Sequence, residues 1–237
     1  RSIAAGVARV VSATLDPDAR TNGQGFARLE AAGIAHEAGL KAAEAKATMG
    51  GWWNRGTRGR PFVTLKLATS LDGCIALASG ESRWITGEAA RAHGHLERAR
   101  ANMIVVGRGT LEADTPRLDV RLPGLEARSP RKGLLTHGAA PEGWEAISSP
   151  EAIATLDGID WILVEGGAQT AAAFLRAGLV DRLLLYRAPI TIGAGRASLG
   201  DIGLGAMEEA HGQWRRSETR QLGPDTLDIY VRADKGL

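Results

Sequence analysis

Residues 62–68 alternate, with Phe62, Thr64, Lys66 and Ala68 on one face and Val63, Leu65 and Leu67 on the other. That period of two predicts a half-buried strand, and Leu71-Asp72-Gly73 marks the turn after it. Between 87 and 100 the pattern becomes helical, with a start at Thr86 and Glu88 in the first turn. Its apolar stripe reads as Ala89, Ala92, Leu96 and Ala99, while Arg91, His95 and Arg98 share a different face. The largely apolar runs at 102–106 and 161–165 predict short buried strands. The first enters Gly107-Arg108-Gly109-Thr110 and a helical turn. The second enters Gly166-Gly167 and an Ala-rich helix to Ala177, stopped by Gly178. Residues 183–186 predict a further strand, and 214–219 with 226–231 alternate like an antiparallel pair. Strands alternating with helices, closed by such a pair, give an α/β domain with a mixed, mostly parallel sheet flanked by helices.

The first 55 residues are patterned more weakly. Ser2 to Gly6 look like part of an amphipathic helix, 7–11 like a strand, 26–32 like a helical turn, 34–36 like a second strand and 41–48 like a helix. So short a piece buries little core, because domains of about 60 residues are already marginal. It reads as the tail of another domain. The polar, Gly-rich stretch 55–61 reads as a linker, which divides the chain into 1–55, a linker at 56–61 and a main domain at 62–233. The sequence starts at Arg1 and reads as a fragment that lacks its natural start.

Composition changes this picture only at the margins. The 237 residues are 44% apolar, enough for a core, and no apolar run approaches the roughly 20 residues that span a bilayer. With one cysteine, Cys74, neither an internal disulfide nor a Cys-based zinc site can form, which suits a cytoplasmic protein. The 5 histidines lack metal-ligand spacing, so no metal is expected in this chain. A net charge of +2 argues against a dedicated nucleic-acid binder. The arginines are nevertheless uneven, with Arg91, Arg98, Arg100, Arg108, Arg117 and Arg121 close together. They form either a solvated basic face or a pocket for an anionic small molecule, since guanidinium forks match phosphate oxygens.

Three motifs invite chemistry. At Val164-Glu165-Gly166-Gly167-Ala168-Gln169-Thr170 a strand ends, glycines turn the chain and a helix begins; the free N–H groups of a helix start favour an anion. Tight strand-to-helix packing without a ligand is the alternative. Glu165 favours a site, because a carboxylate at the carboxyl end of a strand lies where open α/β sheets bind ligands. Gly107-Arg108-Gly109-Thr110-Leu111-Glu112 is no dinucleotide fingerprint, for Glu112 stands where a glycine belongs. Its turn still offers Thr110 and Asp114 to a nucleotide. Around Ser79-Gly80-Glu81-Ser82-Arg83-Trp84, the indole of Trp84 either covers the core edge or forms a platform for a flat ring. Lys66 is either an edge-strand lysine or a charge that serves a ligand, since a charge among apolar neighbours is costly unless paired.

The motifs occur in a particular order: residues 60–73, then Ser79 to Thr86, then Leu111-Glu112-Ala113-Asp114-Thr115-Pro116-Arg117-Leu118, then Val164-Glu165-Gly166-Gly167. From 60 to 232 the chain resembles the reductase domain of the bifunctional riboflavin-biosynthesis deaminase/reductase family, which has a dihydrofolate-reductase-like fold. Residues 1–55 resemble the end of that family's cytidine-deaminase-like domain, beyond its Pro-Cys-x-x-Cys zinc motif. The resemblance implies NADPH-dependent reduction of 5-amino-6-(5-phosphoribosylamino)uracil to its ribitylamino product. It implies that Ala68, Trp84, Thr110 and Asp114 contact NADPH and that Gly167, Ala168, Gln169, Thr170, Ala171, Ala172 and Ala173 hold its phosphates. Ser82, Arg98, Leu118, Arg121 and Glu165 are implied to contact the substrate, with the two arginines on its 5′-phosphate. Lys66, between the two sites, is expected to orient or polarise the ribose C1′.

A homodimer is implied by the resemblance alone, with a small-molecule substrate and neither nucleic acid nor membrane as partner. The chain departs from the family in having Asp114-Thr115-Pro116 in place of Asp-Asp-Pro. Its segment 130–147 is short, so that a strand and loop near the cofactor are expected to be reduced, and His137 has no assigned role. Zinc belongs only to the absent part of the deaminase, so this chain alone is not expected to deaminate. Two other readings are a reductase of the same fold that acts on a pterin, and a nucleotide-binding module without catalysis. A truncated, partly folded product is a further possibility, because residues 1–55 would expose apolar surface.

Overall fold

A computed structural model describes residues 2–18 and 20–233. The chain divides into Arg1–Phe62 and Val63–Leu237.

In the first part, β1 (Arg9–Ser12) pairs in parallel with β2 (Ala35–Ala38), and the helices are α1 (Gln24–Ala31), α2 (Ala42–Thr48) and α3 (Gly50–Arg58). Residues 2–6 form a turn rather than the expected helix, closed by Gly6 N–H donating to the Ile3 carbonyl. Ile34 is the one aliphatic side chain buried here among the described residues, while Ile3, Val11, Leu15 and Leu40 are exposed. The predicted linker is largely helical: α3 runs through Gly56 to Arg58 and ends at Gly59, whose φ of 66° only glycine adopts readily. Glycine costs a helix only about 1 kcal/mol relative to alanine, so composition alone did not break it.

The second part is built on an eight-stranded sheet in the order β11-β12-β9-β3-β8-β5-β6-β7. Its strands are β3 (Phe62–Thr69), β5 (Met103–Gly107), β6 (Arg131–Leu135), β7 (Trp144–Ile147), β8 (Trp161–Val164), β9 (Arg182–Arg187), β11 (Trp214–Leu222) and β12 (Asp225–Arg232). Pairing is parallel for β3–β9, β8–β5, β5–β6 and β6–β7, and antiparallel for β9–β12 and β12–β11. A small antiparallel pair joins β4 (Cys74–Ala76) to β10 (Arg196–Ala197). Helices cover both faces. On one, Ala171 and Phe174 of α6 (Ala168–Arg176) pack with Val63, Leu65, Leu67, Val105 and Val164. On the other, Ala90 of α4 (Glu88–Arg100) packs with Leu184, Tyr186 and Leu227. The alternation in β3 therefore puts Lys66 and Ala68 opposite the α6 core.

Segment 130–147, expected to be short for the family, holds β6 and β7. Its polar sequence concealed a packed position: a Cβ on Gly133 would lie 2.8 Å from Ile147 Cδ1 and 3.0 Å from Met103 Sδ. Helix α4 buries Ala90, Gly94, Glu97 and Ala99, whereas Ala89 and Ala92 are exposed. Counting alanines as core misled, because the buried face contains an acid. Glu97 is held by Arg100 (2.6 Å) and Arg182. The N–H of Gly87, not a Thr86 side chain, marks the start of α4, donating to the Asp225 carboxylate at 2.7 Å. Among the described residues, no helix is long and apolar enough to cross a membrane.

Candidate active site

Two cavities adjoin at the carboxyl ends of β3, β5 and β8. The larger, about 1010 Å³, is lined by Gly107 to Thr110 at the start of α5 (Arg108–Asp114) and by Gly166 to Thr170 at the start of α6. It reaches Thr136, His137 and Arg196. The smaller, about 600 Å³, lies among α4, Trp84, Tyr186 and the loop from Asp114 to Arg121. Lys66, Ala68, Ile75, Ser82, Thr110, Asp114 and Glu165 belong to both walls. The ends of parallel strands converge here because each strand turns into its crossover at this edge, leaving backbone groups and polar side chains free to meet a ligand.

At the junction stand Lys66 and Glu165. Among the described residues the Lys66 ammonium has no hydrogen bond and no ion-pair partner; its Nζ lies 5.7 Å from the centroid of the Tyr186 ring. Glu165 is bound on both oxygens by Arg98, with Nε at 2.8 Å and Nη2 at 2.7 Å. Burial pushes the Glu165 carboxyl up. The Arg98 hydrogen bonds, with the charges of Lys66 and Arg98, outweigh this and hold it below the ordinary carboxylate range. Arg98 Nη1 donates to the Asp119 carbonyl at 3.2 Å. Arg98, implied to meet the substrate's 5′-phosphate, lines the smaller cavity with its fork engaged by Glu165. Arg121, more than half exposed, lies 3.5 Å from Asp119, and Arg117 pairs with the same carboxylate at 2.6 Å. Trp84 is exposed, with the Arg91 guanidinium 4.6 Å from its ring centroid.

Along the larger cavity the glycines have distinct duties. A Cβ on Gly107 would meet Thr170 Oγ1 at 2.2 Å, and one on Gly166 would meet Thr170 Cβ at 2.4 Å. Thr170 is thus wedged between the two strand ends. The Gly167 N–H donates to Thr110 Oγ1 at 3.1 Å, which ties α5 to the start of α6. Gly107→Ala is expected to cost about 1–3 kcal/mol by overpacking. Thr170→Ala in the same chain removes the obstructing oxygen, so urea unfolding should find the double variant more stable than Gly107→Ala alone; equal stabilities would exclude this packing.

Of the residues implied to hold cofactor phosphates, Gly167, Ala168, Gln169 and Thr170 line the larger cavity. Ala171 and Ala172 do not: they are 0% and 2% exposed, with Ala171 in the core. Ala173, one turn further along, is also away from the wall. A helix offers a ligand its first turn, and the positions that follow must pack. Ala68, Thr110, Asp114, Ser82, Leu118, Arg121 and Trp84 all lie on cavity walls, and Leu118 has a φ of 53°. Reasoning from sequence missed Tyr186, read only as a strand residue, and left His137 unassigned, although it borders the larger cavity with Arg108. The signal for Tyr186 was its polar tip near the carboxyl end of a parallel strand.

Comparison with known proteins accords with this geometry. Residues 61–227 match the RibD C-terminal domain model. The riboflavin biosynthesis protein RibD of Mycobacterium tuberculosis is 35% identical over 240 residues, covering 95% of this chain and 70% of that protein. RibD of Escherichia coli is 35% identical over 280 residues, covering 98% and 76%. Among solved structures, Acinetobacter baumannii RibD superposes with a TM-score of 0.83 at 29% identity, covering 97% of this chain and 74% of that one. A Thermotoga maritima diaminohydroxyphosphoribosylaminopyrimidine deaminase/5-amino-6-(5-phosphoribosylamino)uracil reductase gives 0.82 at 25% identity, covering 98% and 73%. The fold is the dihydrofolate-reductase-like one of these reductase domains, and the chain belongs to the RibD family as a riboflavin-biosynthesis reductase.

Proposed function

We propose that the chain reduces 5-amino-6-(5-phosphoribosylamino)uracil to the ribitylamino product with NADPH. The observation that carries this is the pair of cavities sharing one polar wall, which suits two ligands that must meet at a single reacting centre. NADPH, when bound, supplies the hydride. The donor set of the larger cavity fits such a cofactor: the first turn of α6 faces it, Gly107, Gly109, Gly166 and Gly167 permit close approach, and Arg108 and Arg196 add positive charge. Arg108 is steadied by Thr136 Oγ1 at 2.8 Å.

In the smaller cavity, Arg91, Arg117 and Arg121 form a cationic rim suited to the substrate's phosphate. Lys66, with its ammonium donors uncommitted among the described residues, is placed to hydrogen-bond an oxygen of the opened ribose and to polarise C1′. Glu165, kept ionised by Arg98, adds a fixed acceptor beside it. No side-chain nucleophile is needed, because the chemistry asks the protein for alignment and electrostatics. We infer that residues 1–55 derive from the deaminase module of a bifunctional protein, supported by relatives that match over 95% of the chain or more. The same proposal has the enzyme act in the cytoplasm, which its single cysteine suits, as a homodimer on the family resemblance.

The test is NADPH consumption with the phosphoribosylaminouracil, compared with dihydrofolate and with NADH as donor. Stoichiometric ribitylamino product with NADPH is expected. Preference for dihydrofolate, or tight NADPH binding without turnover of any pyrimidine, overturns the proposal.

A further inference from the structure

Tyr186 of β9 stands in register with Ala68 of β3, and its ring, 1% exposed, lines the smaller cavity. Its hydroxyl lies 2.7 Å from His93 Nδ1 on α4. The opposite ring nitrogen, His93 Nε2, faces Arg220 Nη1 of β11 at 3.4 Å. Arg220 is held in turn by Glu218, through Nε at 2.6 Å and Nη2 at 2.8 Å.

This sequence of contacts decides where the hydrogens are. A guanidinium only donates, so His93 Nε2 must accept. A neutral imidazole that accepts on one nitrogen carries its hydrogen on the other, so Nδ1–H donates to the Tyr186 oxygen. Burial, assisted by the charges of Glu97 and Glu165, keeps the phenol protonated, and burial also disfavours the imidazolium despite the charge of Glu97. The hydroxyl hydrogen of Tyr186 is therefore not taken by His93. No other hydrogen-bond acceptor engages it among the described residues, and the nearby Lys66 ammonium cannot accept.

We propose that Tyr186 contacts the substrate directly, donating its hydroxyl hydrogen to an oxygen of the molecule bound in the smaller cavity. His93 and Arg220 are positioning residues: together with Glu218 they hold the tautomer that leaves this donor available. The inference rests on the reductase reading of the site, and it adds a contact that the sequence motifs did not supply.

Tyr186→Phe is expected to lower kcat/KM roughly 3- to 10-fold, the worth of one hydrogen bond, with a thermal midpoint lowered by the loss of the acceptor for His93 Nδ1–H but the protein still folded. Arg220→Met tests the orienting chain from the protein rim. It frees Nε2 to carry the hydrogen, so that Nδ1 accepts from Tyr186 and diverts the donor from the cavity. The ¹⁵N shifts of His93 in the unliganded protein should report Nδ1–H before the substitution and Nε2–H after it. Activity should fall by a similar factor, and Tyr186→Phe/Arg220→Met should be no slower than Tyr186→Phe alone. A His93 already in the Nε2–H form, unchanged kcat and KM in Tyr186→Phe, or losses that multiply in the double variant would each overturn the proposal. Absence of turnover in the unaltered protein would instead overturn the reductase reading, and the tautomer measurement would still decide the orienting chain by itself.

Discussion

An Arg98→Met variant is expected to lose about 3–5 kcal/mol of stability and most of its activity, because it strands a buried carboxylate. The Glu165 side chain is 9% exposed and Arg98 is 16% exposed, so water replaces the lost fork only in part, from the cavity side. The pH dependence gives a sharper signature than the size of the loss. In the unaltered protein the folded Glu165 lies below its unfolded value, so its contribution to stability is present above the unfolded value and is lost as pH falls through the folded one. With Arg98 gone, burial, the largest influence, is opposed by the charges of Lys66 and His95 alone, and the folded value is expected to rise above the unfolded one. Stability then declines as pH rises from about 4 upward, the opposite slope. Urea unfolding between about pH 4 and 7 should show this inversion, and Arg98→Met/Glu165→Gln should recover much of the loss. A variant with the original slope would show that Arg98 does not control Glu165.

Lys66→Met is expected to leave folding nearly intact and to lower kcat by about 10²-fold or more, the scale of losing one preorganised charge at a reacting centre. Stability should fall only by the share of Lys66 in holding Glu165 ionised, because among the described residues Lys66 makes no hydrogen bond or ion pair, and methionine can replace its aliphatic stem beside Tyr186. Single-turnover measurement separates chemistry from binding: the hydride step should slow while the affinity for NADPH stays close to that of the unaltered protein. Unchanged turnover would remove Lys66 from the reaction. A large rise in KM with kcat preserved would make it a binding residue only.

Much of the fold could be read from the chain, where periodicity and burial coincide. The alternation of Phe62 to Ala68 and the apolar runs before Gly107 and Glu165 correspond to central strands of the sheet. Legibility failed where burial depends on a partner far along the sequence. Glu97 lies outside the predicted apolar stripe and is buried because Arg182 supplies its counter-charge, and β6, for which no strand was predicted, packs where Ile147 and Met103 close over Gly133. The site shows the same division. Thr110 and Glu165 were singled out because they begin a helix or follow a strand, and Lys66 because it is a charge among apolar neighbours; all three lie on cavity walls. The pairing of Arg98 with Glu165 could not be read locally, because nothing near Arg98 in sequence shows which acid its fork will meet, and the contacts of Tyr186 come from His93 and Arg220 on two other elements.

The wall common to the two cavities bears on the kinetics of the whole cycle. Whichever molecule arrives first becomes part of the container for the second, since Ala68, Thr110 and Glu165 touch both spaces. By linkage, any gain the first confers on the second is returned in equal measure. A binding constant for either molecule alone therefore describes a half-built chamber, and the order of entry and departure becomes a property of seven shared side chains rather than of either ligand.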